Sequence, residues 1–153
     1  MPAEIGFVKE ASMFPGLNYG INIWAILACG VASLFIGFIW YGPLFGKAWA
    51  GCTGWTEEKV KSIPPSRMAR TYILTLAAAL VTAFVLDLFA WALGSSGIKA
   101  GLFLGLLTGV GFSAMAFATT HLFEHKPVGL WLIVSGYQLV YQIAAAIIVT
   151  LWR

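Results

Sequence analysis

Four long apolar stretches constrain this chain more than any other feature: about Ile21 to Tyr41, Thr71 to Leu93, Ala100 to Phe123 and Val128 to Trp152. A helix needs roughly 20 such residues to cross the hydrocarbon core of a bilayer. Inside lipid the backbone must satisfy its own hydrogen bonds, so runs of this length are read as helices. The expected fold is all-α: one four-transmembrane-helix bundle over residues 1–153, with the lipid bilayer as its first partner. Charge points the same way. Only 10% of the residues are charged, against about 25% in soluble domains, too few to cover a water-facing surface.

The connections set the topology. Gly94 to Gly97, with two serines between the glycines, is a turn signal after the second span. Glu124 to Gly129 separates the last two spans, and its Pro127 can end one helix or open the next. Both links are short, so the second, third and fourth helices are expected to be consecutive antiparallel neighbours. The long link, Gly42 to Arg70, holds most of the charge. It opens with Trp40, Tyr41, Pro43, Phe45 and Trp49, interrupted by Gly42 and Gly46. Trp and Tyr favour the headgroup level, so this reads as an interfacial segment between helices one and two. Thr56 is placed to cap a short helix with Glu57 and Glu58 in its first turn, and Pro64-Pro65 to stop it.

Lys47, Lys59, Lys61, Arg67, Arg70 and Lys126 fall on one side of the membrane, and Lys9, Lys99 and Arg153 on the other. Six against three predicts loop 42–70 in the cytoplasm and both termini outside. The same distribution disposes of the formal charge of +3 as a nucleic-acid footprint, because no basic stripe with interleaved aromatics occurs. Residues 1–20 lack a basic region joined to an apolar core, so the first helix is read as an uncleaved anchor. Cys29 lies in an apolar helix and Cys52 in a polar loop, a poor placement for a bridge.

Three groups of residues carry candidate chemistry. Asp87 is a carboxylate within a span, a functional candidate by default; the bland alternative is a buried hydrogen bond or a reach toward the headgroups. Its neighbours at helical spacing, Ala79, Ala83 and Ala90, point it into the bundle, and depth counting matches it with Gln142. Ser135, Gln138, Gln142, Ala145 and Val149 share one stripe of the fourth helix, and Asp87 is expected to meet its polar part. Gly101, Gly105 and Gly109, continued by Ser113, form a small-residue ladder for close helix packing. Its partner is left open between this chain, a second copy and another protein, with the stripe Gly30, Ser33 and Gly37 of the first helix as an intramolecular option. Finally, His121-Leu-Phe-Glu124-His125 matches the inverted zinc-protease pattern. A metal would need both histidines on one helical face and a further ligand, and no second cluster is evident. Polar residues at the interface are the simpler reading.

Several motifs together resemble one family. Trp40-Tyr41-Gly42-Pro43-Leu44-Phe45-Gly46-Lys47-Ala48-Trp49 is similar to its signature at the end of the first helix. Gly54-Trp55-Thr56-Glu57-Glu58, then Leu122-Phe123-Glu124 with Lys126-Pro127, and Gly136-Tyr137 resemble its later landmarks. The family is one of small bacterial membrane proteins, domain of unknown function 1761. At His121 and Gln138 the chain departs from the family pattern, in which an Asn-like residue and often a His are expected. This weakens a metal reading of His121. The resemblance implies four spans and a multi-pass protein of the bacterial cell inner membrane, and brings no reaction or site residue.

The first span carries no carboxylate of the kind a four-helix drug exporter uses, and no nucleophile–base pair occurs. The chain is therefore expected to be no enzyme and to hold no cofactor. The leading expectation is a structural or interaction protein: a homo-oligomer or a subunit of a larger membrane complex. The alternatives are a small transporter or channel using Asp87, Gln138 and Gln142, and an enzyme or cofactor binder using His121, Glu124 and His125.

Overall fold

The computed structural model describes residues 20–153. The reading of residues 1–20, and of Lys9 within them, falls almost entirely outside the described part. The described residues contain helices and no strand. In chain order they are α1 (Ile23–Leu44), α2 (Gly46–Thr53), α3 (Glu57–Lys61), α4 (Pro65–Ala92), α5 (Ile98–Phe123) and α6 (Val128–Leu151). Helices α1, α4, α5 and α6 are each long and apolar enough to cross a membrane, as the hydropathy of the sequence requires.

Local chemistry sets most of the boundaries. The Asn22 side chain caps α1 by accepting from the Ala25 amide at 3.1 Å. Gly54, at φ +68, closes α2 in the left-handed conformation that glycine adopts without steric cost. Thr56 caps α3 as expected, accepting from the Lys59 amide. Pro64 and Pro65 do more than stop that helix: Pro65 is the first residue of α4, where its missing N–H costs nothing. The second span therefore begins six residues earlier than the apolar run suggests, with Arg67 and Arg70 in its opening turns. Pro127 likewise stands at the N-cap of α6.

Helix α6 is the hub, touching α1, α2, α4 and α5. The core joins Ala25 and Cys29 of α1, Ala79, Ala83, Leu86 and Ala90 of α4, and Leu104 of α5. From α6 come Tyr141, Ala145, Ala146 and Val149. Its alanines matter because helices in lipid gain from close backbone approach rather than from a hydrophobic effect between them.

The expected sequence of antiparallel neighbours holds for α5 and α6 but is loose for α4 and α5, which meet only sparsely despite their short turn. The glycine ladder draws α5 onto α6, and the turn holds α4 to α5 at one end only. That end is tied to α6 as well, since the Gly97 amide donates to the Thr150 carbonyl at 2.9 Å.

Two of the spans contain π-helical turns: Trp40–Leu44 at the end of α1, and Gly109–Ala114 in the middle of α5. Such widened turns displace backbone carbonyls from the regular ladder and recur at functional sites. Here the second one frees an acceptor for a tryptophan. Trp131 Nε1 donates to the Ala114 carbonyl at 2.9 Å, the last residue of the second π-turn.

Candidate functional site

Asp87 is buried, 1% exposed, and points into the bundle as expected. Its described partner is not the glutamine stripe. The Arg153 guanidinium donates to the Asp87 carbonyl at 2.7 Å and to its carboxylate at 3.3 Å. Gln142 donates to the Ser113 hydroxyl instead. The expected meeting of Asp87 with Gln142 is thus replaced by an ion pair at the helix ends. The reason is reach: a long arginine just past α6 folds back on α4, whereas Gln142 sits eleven residues earlier, about 16 Å along the helix.

The glycine ladder has its partner within the chain. A side chain at Gly101 would meet Thr150, Ile147 and Ala146, one at Gly105 would meet the backbone of Ile143 and Gln142, and one at Gly109 would meet Leu139. Ser113 completes the row through its bond from Gln142. The ladder is therefore the α5–α6 seam. The suggested partner on α1 faces elsewhere, with Gly30 against Leu80 and Leu76 of α4 and Gly37 against Tyr137 of α6.

Where α4 and α5 splay, a cavity of about 550 Å³ opens sideways. Gln138, Gln142, Ser113, Thr108 and Thr82 supply its polar part, and Phe89 and Phe112 are among its apolar walls. Asp87 is not in its lining. Two of the three residues proposed for binding therefore share a cavity, and the ionisable one stands apart. Ser135, on the same stripe, is 6% exposed, and its hydroxyl has no hydrogen-bond partner among the described residues.

The aromatic signature clamps α1 to α6. Trp40 Nε1 donates to the Ile133 carbonyl at 2.9 Å, and its ring lies where a side chain on Gly136 would have to go. Tyr41 packs on Tyr137 at 5.3 Å between ring centres and on Trp49 at 6.1 Å. Phe45 covers Trp40 at 4.6 Å. Pro43 lies inside the π-turn, and Gly46 is required because a side chain there would strike the Tyr41 carbonyl at 2.5 Å. Beyond the headgroup preference that explains Trp and Tyr in sequence, this segment builds a joint between helices.

The His121-x-x-Glu124-His125 pattern does not place its residues on one helical face. Helix α5 ends at Phe123, and His125 lies beyond it with φ +51. Glu124 pairs with Lys126, whose ammonium holds the carboxyl below its usual range. Among the described residues no group of three metal-ligating side chains forms. His121, His125 and Lys126 do line a second cavity, of about 520 Å³, with Trp131. Both cysteines are free, and Cys29 donates to the Ala145 carbonyl at 3.6 Å.

A family described as proteins of unknown function, DUF1761, matches residues 24–150. The chain belongs to this family. No curated protein and no solved structure matches it. The matched segment contains the clamp, both cavities and the glycine ladder, whereas Arg153 lies just beyond it. The sideways cavity, the α5–α6 seam and the His121 cavity are thus all built from the family's own domain.

Proposed function

We propose that this DUF1761 protein is a non-catalytic membrane subunit, working as a homo-oligomer or within a larger complex, and that its working surface is the sideways groove between α4 and α5. The groove itself carries the reading. The glycine ladder is consumed inside the chain, so it is no longer the surface that meets a partner. The groove is the place where α4 and α5 leave space with apolar walls and amide and hydroxyl groups at its floor. A transmembrane helix seated there would cover the walls and find partners for the polar floor, the combination that joins helices in lipid. The clustering of Lys and Arg supports loop 42–70 in the cytoplasm and both termini outside, and the family resemblance is what supports a bacterial inner-membrane setting.

Site-directed cross-linking in native membranes tests this. With Cys52 replaced by serine, a cysteine at Phe112 on the groove is expected to cross-link to a second copy or a partner. A cysteine at Phe35, exposed on α1, serves as control. Equal yields from both positions, or none from Phe112, would sink the proposal.

One observation favours a second reading, a small transporter: Gln138 and Gln142 both line the cavity, as a substrate path along that stripe requires. With Asp87 paired to Arg153 and outside the lining, the cargo would be neutral rather than a proton or cation. Flux of an uncharged solute that survives Asp87→Asn but not Gln142→Leu supports this version.

A further inference from the structure

The end of α5 is closed in an unusual way. The Lys126 amide donates to the His121 carbonyl at 3.0 Å and the His125 amide to the Leu122 carbonyl at 3.3 Å, the paired bonds of a Schellman cap. In that motif the residue at the left-handed position is usually glycine, because a side chain there meets its own backbone. Here it is His125, at φ +51. A conformation of this kind at a non-glycine residue points to a use for the side chain. Turning the chain there puts His125 and Lys126 on the wall of the same cavity as His121.

His121 is half-satisfied. Its Nδ1 lies 2.8 Å from the Phe117 carbonyl. A carbonyl only accepts, so Nδ1 carries a proton and donates it there, and in the Nδ1–H tautomer Nε2 is the ring's acceptor. That Nε2 is shielded from water and has no partner among the described residues. An acceptor left in this state is costly unless a donor reaches it. Lys126 and His125 stand on the cavity wall as donors to an anion, and His121 stands beside them, its Nε2 within reach of a donor once the ring shifts from the close fit that covers it. Ala118, Leu122, Val128 and Trp131 supply its apolar surface. Leu122 and Val128 are also widely exposed where the third and fourth spans meet their connecting turn. Lys126 is held by Glu124, but both side chains are nearly half exposed, and a pair of that kind rearranges at little cost.

We infer that this cavity binds the headgroup of a membrane glycerophospholipid that carries a hydrogen-bond donor beyond its phosphate. The phosphate lies with Lys126 and His125, the ammonium or hydroxyl group donates to His121 Nε2, and the acyl chains run down Leu122 and Val128. A lipid fits better than a soluble phosphate, because the apolar wall continues into the span. The six Lys and Arg of this side raise the local concentration of anionic headgroups. The site is separate from the groove between α4 and α5 and does not depend on what fills that groove.

Phosphatidylethanolamine and phosphatidylcholine make the decisive pair, since both are zwitterionic and only the first has N–H donors. The full chain is exchanged into nanodiscs containing equal amounts of the two, and the lipid it retains is counted by native mass spectrometry. Retention of phosphatidylethanolamine about fivefold or more above phosphatidylcholine is expected, the scale of one hydrogen bond to a buried acceptor. His121→Phe should erase the preference. His125→Gly should leave the fold intact, with an equal or higher melting temperature, and lower the retention of both lipids. This second variant keeps the inference testable if His121→Phe fails to fold. Equal retention of the two lipids by the native chain, or an unchanged preference in His121→Phe, overturns it. Displacement of the lipid by soluble phosphoethanolamine at millimolar concentration overturns the lipid source. Stabilisation by zinc chloride that is lost in His121→Phe assigns the ring to a metal instead.

Discussion

Helix α5 makes two seams that could hardly differ more. Against α6 it presents Gly101, Gly105 and Gly109, and the backbones approach until a single added carbon would strike Ile143 or Ile147. Against α4, it presents Phe112 and Phe117, and the two helices stand apart around a cavity of about 550 Å³. In water a gap between two apolar faces would be expected to collapse. In lipid there is no such drive, because the surrounding chains solvate the walls as well as another helix does. Side-chain size therefore decides spacing. Small residues turn a seam into structure, and large ones leave a place where something else can sit.

The sharpest way to break the comparison is Gly105→Leu. The clash is with α6 backbone rather than with the end of a flexible side chain, so the seam cannot adjust locally. A loss of about 3 kcal/mol or more is expected, read as failure to reach the folded state in detergent by thermal melting or denaturant titration. Normal stability with altered oligomeric mass would show that α5 and α6 are not joined as described.

Much of this was legible in the sequence and some was not, for physical reasons. Spans follow from hydropathy, since lipid imposes a length and a composition. The glycine ladder is legible as a packing face, because spacing by four residues sets a face whatever it meets. Its partner is not, since α1 and α6 both carry small or narrow positions, and only the fold shows Gly30 turned toward Leu80. Burial of Asp87 followed from its alanine neighbours. Its partner did not, because depth counting pairs residues by height and ignores how far an arginine at a helix end reaches back. The π-turns leave no periodicity to detect beyond a glycine or proline. That His121 Nε2 has no partner among the described residues depends on an atom-level arrangement that no spacing rule encodes.

Arg153→Ala sharpens the comparison at the end where the open seam is tied shut. There Arg153 holds α6 to α4, beside the bond from Gly97 to Thr150. Removing the guanidinium strips a buried carboxylate of this partner, an error that costs more than the pair itself is worth. A loss of about 2 kcal/mol is expected, since the arginine is itself partly exposed. Asp87→Asn in the same background should recover part of it. If the double variant is less stable than Arg153→Ala alone, the cost lies in packing and not in the lost ion pair.

The smallest expected effect falls on the floor of the open seam. Gln142→Leu removes the hydrogen bond to Ser113 but keeps nearly the same volume, and it leaves the ladder glycines untouched. The Ser113 oxygen then loses its donor, but its own O–H is still able to donate to a carbonyl displaced by the π-turn around it, which limits the cost. The fold should weaken by about 1 kcal/mol or less. Cross-linking from Phe112 should fall far more than that, because the polar floor is what a partner in lipid recognises. A variant that loses stability as severely as Gly105→Leu would mean that Gln142 serves the closed seam. The distinction between the two faces of α5 would then collapse.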